Sequence, residues 1–232
     1  PRYGAVTLID TEVEFAHVVD QIISGAGPVA IDAERASGFR YSQRAYLIQI
    51  FRRGGGLHLI DPIPLTHSPH IGRLNNALRD EEWVIHASTQ DLPCLREFGI
   101  SPQRLFDTEL GGRLAGCERV GLGPLTESLL ELTLAKEHSA VDWSFRPLHH
   151  EWLIYAALDV DVLLDLRDAV EGDPMREYPG GRLGAREHRP GLLAQLLHCR
   201  TAGAARALIS RNHQALEAPS IPKRLQRHHE LH

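Results

Sequence analysis

Residues 1–172 predict an α/β fold: one mixed five-stranded sheet, three antiparallel strands plus two, with helices on its faces. Three observations carry that expectation. Short runs rich in Ile, Leu, Val and Tyr are separated by segments whose apolar residues recur at helical spacing. Gly54-Gly55-Gly56 joins two strand-like runs and reads as a tight turn between antiparallel partners. The two later strand-like runs are each followed by a helical pattern, as in a sheet that buries both of its faces.

The elements follow in order. A helical pattern over about 11–23 precedes the first strand, expected over 28–34. Strands over 45–51 and 57–61 flank the glycines, and Asp61-Pro62 closes the latter because proline lacks the N–H a ladder needs. A helix over about 70–79 leads to a fourth strand, EWVIHA (82–87), and a helix over about 89–97 to a fifth, RLFDT (104–108). Helical patterns over 109–115 and 123–132 come next. Residues 148–171 then keep Leu153, Ala156, Val160, Leu163, Leu164 and Leu166 at helical spacing.

Near residue 172 the composition changes. EGDPMREYPGGRLG reads as a linker, and residues 173–232 hold nine Arg, six His and a single aromatic residue. Only 191–209 has the pattern of an amphipathic helix there. The expected organisation is thus a body over 1–172 and a basic tail over 173–232, partly helical or disordered because it has little apolar area to bury. The formal charge of −5 splits accordingly: 15 Lys/Arg against 25 Asp/Glu in the body, 10 against 5 in the tail. Three cysteines, far apart and odd in number, suit a reducing cytoplasm and argue against a disulfide framework or a CxxC zinc site. No apolar run approaches a membrane span, and PRYGAVTLID lacks the basic-then-apolar pattern of a signal peptide, so no membrane partner is expected.

PVAIDAERAS (28–37) raises the chemical question. Side chains at i and i+2 of a strand share a face, so Asp32 and Glu34 project together from a strand built for a core. Two close, partly buried carboxylates repel and require a cation. Arg35, Arg40 or Arg44 could supply it, and a hard divalent ion with its preference for oxygen ligands would serve better. Asp91 lies at a helix start after the fourth strand, where the macrodipole alone would favour an acid. Tyr155 and Asp159 are an i, i+4 pair on one helix face.

The segments IDAE, HASTQDL and YAALD resemble the three motifs of the DEDD 3′–5′ exonucleases of the tyrosine subclass. DWSFRPL (142–148), YSQRAYLIQI (41–50) and FDTELGGRL (106–114) make the resemblance one to ribonuclease D of an actinobacterial type. It covers about residues 5–170 and implies an RNase H-like fold. By that resemblance Asp32, Glu34, Asp91 and Asp159 hold two divalent cations, Mg²⁺ or Mn²⁺, directly or through water, and Tyr155 orients the attacking water. The implied reaction is two-metal hydrolysis at single-stranded RNA 3′ ends, such as those of tRNA precursors, releasing nucleoside 5′-monophosphates. Ribonuclease D proteins usually carry one or two helical HRDC domains after the nuclease, and residues 173–232 contain no recognisable one.

Other positions keep two readings each. His86 and Gln49 are substrate contacts or satisfied core groups, and Trp143 is a base-stacking surface or core. Arg146 reaches a phosphate or pairs with a carboxylate to hold a helix. Lys136 is an RNA contact or a solvated loop lysine. Arg35, Arg40, Arg44, Arg52 and Arg53 could guide a strand electrostatically, although alternation would divide them between faces. His149-His150 lacks HExxH spacing. Competing functions are a DNA exonuclease and a non-catalytic RNA-binding module. No protein partner is expected.

Overall fold

A computed structural model describes residues 6–36, 39, 43–134 and 141–172. The expectations for 173–232, and those for Arg40 and Lys136, lie outside the described residues. The sheet has six strands: β1 (Leu8–Ile9), β2 (Val29–Arg35), β3 (Ala45–Arg52), β4 (Gly56–Ile60), β5 (Glu82–Ile85) and β6 (Arg104–Asp107), in the spatial order β1-β4-β3-β2-β5-β6. β2, β3 and β4 pair antiparallel, while β1, β5 and β6 join in parallel. This is the RNase H-like arrangement, with one strand more than expected. The addition, β1, is two residues long, too short to show any alternation.

The helices bury apolar stripes, and some carry a clear start or stop signal. In α1 (Glu12–Ser24) the Thr11 hydroxyl accepts the Glu14 N–H, and Phe15, Val18, Val19 and Ile22 form the buried stripe. Such a cap is worth about 1 kcal/mol. α2 (His70–Leu78) and α3 (Leu92–Phe98) complete the layer on this side, over Val29, Ile31 and Ala33 of β2, Ile48 and Ile50 of β3, and Trp83 and Ile85 of β5. α3 stops at Gly99, whose φ of 107° a side chain would resist.

The other face is covered by α4 (Thr108–Leu114), α5 (Leu122–Leu130), α6 (His150–Asp161) and α7 (Leu163–Glu171). Here Ala30, Phe51 and Val84 meet Val160, Leu163, Leu164 and Leu166, while Leu47 and Leu59 meet Leu153, Ala156 and Ala157. The single helical stretch expected over 148–171 is two helices, because the chain turns at Val162 without interrupting its apolar pattern.

The hairpin expected at Gly54-Gly55-Gly56 closes with Arg52 opposite Gly56. Gly54 takes a φ of +77°, and a Cβ on Gly55 would lie 2.9 Å from the Gln21 carbonyl oxygen. Arg52 and Arg53 tie down this end of the sheet. Arg52 pairs with Glu81, and Arg53 bonds Asp168 at 2.8 Å and Asp165 at 3.2 Å. The opposite end, where β2, β4 and β5 finish and β3 begins, carries the acids.

Candidate active site

Alternation along β2 sends Ile31 and Ala33 into the α1–α3 side, and Asp32 and Glu34 toward α6. α6 contacts β2, β3 and β4, and Asp159 lies one turn after Tyr155 on it. Asp32, Glu34 and Asp159 each offer a carboxylate oxygen, and these atoms lie within 4.8 Å of one another. Asp91, 5% exposed, lies within hydrogen-bonding reach of Asp32, and the Tyr155 hydroxyl hydrogen-bonds Asp159. All five residues named from the sequence therefore meet at one end of the sheet.

The approach of Asp91 depends on a turn no local pattern announces. Ala87 adopts a φ of 52°, a left-handed conformation that is uncommon for alanine. Asp107, at the end of β6, holds it. Its carboxylate accepts the Ala87 and Ser88 N–H groups at 3.2 and 2.8 Å and the Ser88 hydroxyl at 2.8 Å. It also caps α4 through the N–H groups of Glu109 and Leu110. Burial opposes ionisation of Asp107, but these bonds outweigh it and hold its carboxyl below the usual range. Sequence reasoning gave Asp107 no role. Its position in FDTE, just before a helix, was the available signal.

The electrostatics call for positive charge. Burial is the main reason the carboxyl groups of Asp32, Glu34, Asp91 and Asp159 are all pushed up, and their mutual repulsion adds to it for Glu34, Asp91 and Asp159. Asp159 reaches about 7. Burial and then the neighbouring carboxylates also raise the Tyr155 phenol, which stays protonated. Among the described residues Arg35 is the cation nearest these acids, 3.8 Å from Asp91 and donating to Gln90 at 3.1 Å. A β-bulge between Glu34 and Arg35 marks where the strand leaves its register. One guanidinium against four carboxylates leaves an excess of hard oxygen donors, which suits Mg²⁺ or Mn²⁺ and not a soft metal.

The remaining candidates take varied places. Gln49 is fully buried opposite Asp32 in the β2–β3 ladder, and its amide has no hydrogen-bond partner among the described residues. His86 bonds the Thr108 hydroxyl at 2.9 Å, and burial lowers its pKa despite Asp107 and Glu109. Trp143 is 1% exposed and sits in the core beneath α6. Arg146 forms a bidentate pair with Asp61 at 2.7 and 2.9 Å, and donates to the carbonyls of Tyr46, Trp143 and Phe145. Arg44 donates to Thr66 and lies over the Tyr46 ring, on the acidic end of the sheet, whereas Arg52 and Arg53 belong to the hairpin end.

An acid cluster of this kind is a candidate site for divalent cations, as in two-metal phosphodiester hydrolysis. Residues 6–172 match the 3′–5′ exonuclease family, and the chain belongs to it. Ribonuclease D of Serratia proteamaculans is 33% identical over 165 residues, 68% of this chain and 42% of that protein. The crystal structure of a protein from Bifidobacterium adolescentis superposes with a TM-score of 0.74 at 38% identity, covering 97% of this chain and 49% of its own. Escherichia coli RNase D, described as an exoribonuclease involved in structured RNA processing, superposes with a TM-score of 0.61 at 29% identity, over 72% of this chain and 46% of its own. The chain thus spans less than half the length of each of these relatives. No helix among the described residues is long and apolar enough to cross a membrane.

Proposed function

We propose that this protein is a metal-dependent 3′–5′ exoribonuclease that removes nucleotides one at a time from single-stranded RNA 3′ ends, releasing nucleoside 5′-monophosphates. The observation that carries the reading is the convergence of Asp32, Glu34 and Asp159 within 4.8 Å, with Asp91 beside the first and Tyr155 bonded to the last. These carboxylates hold two divalent cations, Mg²⁺ or Mn²⁺. Such ions supply Lewis-acid stabilisation of phosphoryl charge and make water a nucleophile near neutral pH.

The chain's own residues do the rest. Tyr155 keeps its proton, so it presents a hydroxyl beside the acids that orients the attacking water. The water gives up a proton to solvent as its oxygen bonds to phosphorus, the bond from phosphorus to the 3′-oxygen breaks, and that oxygen takes a proton from solvent. Arg35 balances part of the carboxylate charge through Asp91 and keeps that side chain aimed at Asp32. Asp107 fixes the turn that brings Asp91 in. The body through residue 172 carries the chemistry, and the basic residues of 173–232 add a salt-sensitive grip on RNA. In this proposal the protein acts in the cytoplasm on tRNA precursors or other structured RNAs.

The test compares 5′-labelled RNA and DNA oligonucleotides of one sequence with Mg²⁺ or Mn²⁺. Stepwise shortening of RNA with monophosphate release is expected. Faster shortening of DNA would move the assignment to a DNA exonuclease, and tight RNA binding with no product in either metal would make the protein a binding module.

A further inference from the structure

Beside the acid cluster lies a set of aromatic rings that the hydrolytic step does not use. The Phe145 side chain is 47% exposed, and its ring stacks on that of His149 with centroids 5.3 Å apart and planes 4° apart. Trp152 meets His149 edge-on at 4.7 Å and Phe145 at 6.3 Å, and rests on buried Trp143 at 5.8 Å. An exposed phenylalanine stacked on an exposed histidine buries little apolar area, so core packing does not account for it.

Two features place these rings for work. First, their loop is fixed. Arg146 holds the carbonyls on both sides of the turn, those of Trp143 and Phe145, and anchors them to Asp61 and to Tyr46. Asp61 follows β4 and Tyr46 opens β3, so the loop is bolted to the sheet end that carries Asp32 and Glu34. Second, Trp152, Tyr155 and Asp159 lie within about 60° of one another around α6 at 100° per residue, and Trp152 precedes Asp159 by roughly 10 Å along the axis. The aromatic set, through Trp152, and the acids, through Asp159, thus share one face of α6.

Resting on the nuclease reading above, we infer that Phe145, His149 and Trp152 are a stacking platform for a nucleobase a few nucleotides upstream of the scissile linkage. Every base presents a π-face, so such a platform grips a strand without selecting sequence. It needs an unpaired base, which makes it a device for choosing single-stranded 3′ ends over paired ones. His149 adds a polar ring edge that can donate to the backbone.

The experiment uses the full chain and oligoadenylates with a phosphorothioate at the last linkage. The fluorescent base 2-aminopurine replaces each of the last few adenines in turn. Stacking quenches it, and one inner position is expected to respond most. Phe145→Ala should lose that quenching and weaken binding about 5- to 150-fold. His149→Ala should weaken it less, and Phe145→Tyr should retain wild-type behaviour. Hydrolysis of the p-nitrophenyl ester of thymidine 5′-monophosphate, too short to reach the platform, should be the same in Phe145→Ala and wild type. Equal affinity and quenching in wild type and Phe145→Ala, or no quenching in the wild type, overturns the platform. Failure of the nuclease reading would appear separately, as no ester or RNA hydrolysis by the wild type with either Mg²⁺ or Mn²⁺.

Discussion

Replacing Asp159 with Asn should make the metal-free protein more stable, not less. In the folded chain burial, and then Asp32, raise the Asp159 carboxyl from 3.8 to about 7, while its bond from Tyr155 works the other way. A folded pKa above the unfolded one means that the folded state holds the proton more tightly. The resulting penalty is absent below the unfolded value, grows as pH rises through the window from 3.8 to about 7, and is complete above it. A shift of this size corresponds to about 4 kcal/mol, and solvent contact at this half-buried side chain reduces it to about 2 kcal/mol. Asparagine keeps the shape and an acceptor for the Tyr155 hydroxyl but carries no charge. In EDTA at pH 8 the variant should melt about 4–8 °C above the wild type, and the gap should close as pH falls toward 4. With Mn²⁺ added the order should reverse, because the wild type gains stability from binding that the variant has lost. A variant that melts at or below the wild type in EDTA at pH 8 would refute the claim that burial and the neighbouring acid hold this carboxyl against ionisation.

Other expectations concern the supports. Because the raised carboxyl groups must lose protons to bind a cation, Mn²⁺ affinity measured by calorimetry should rise from pH 6 to pH 8 with net proton release; a flat profile would count against the cluster as the binding site. Asp107→Ala frees the Ala87 turn and uncaps α4, so it should destabilise the protein by about 2–3 kcal/mol in urea and weaken Mn²⁺ binding although Asp107 is no ligand. Arg146→Ala leaves the 4%-exposed Asp61 without its ion-pair partner and should cost about 3 kcal/mol, with Arg146→Lys recovering little because the fork is lost; an unchanged urea midpoint for Arg146→Ala would show the clamp to be idle.

What could be read from the sequence follows from how local each feature is. Asp32 and Glu34 share a strand face, and Tyr155 and Asp159 share a helix face, so spacing alone pairs them. The convergence of the pairs is non-local and came from family resemblance, not spacing. Asp91 arrives through a left-handed alanine held by a carboxylate 19 and 20 residues further on, and neither partner announces the other. Arg146 and Asp61 are 85 residues apart; the sequence left open whether that arginine would meet phosphate or carboxylate. β1 escaped because two residues have no period, and the α6–α7 break because Val162 leaves the helical spacing of Val160, Leu163 and Leu164 uninterrupted. The aromatic strip was hidden because Phe145, His149 and Trp152 face one another only once the Arg146 clamp sets the loop.

The central claim is that four carboxylates at one sheet end make this chain a 3′-end nuclease, and product analysis tests it most directly. RNA carrying a labelled 3′-terminal nucleotide is incubated with Mn²⁺ and either wild type or Asp32→Ala. Wild type should release the label as a nucleoside 5′-monophosphate, and Asp32→Ala, like wild type in EDTA, should release none. Label released at the same rate by Asp32→Ala, or retained in full by wild type with Mg²⁺ and Mn²⁺ alike, would contradict it.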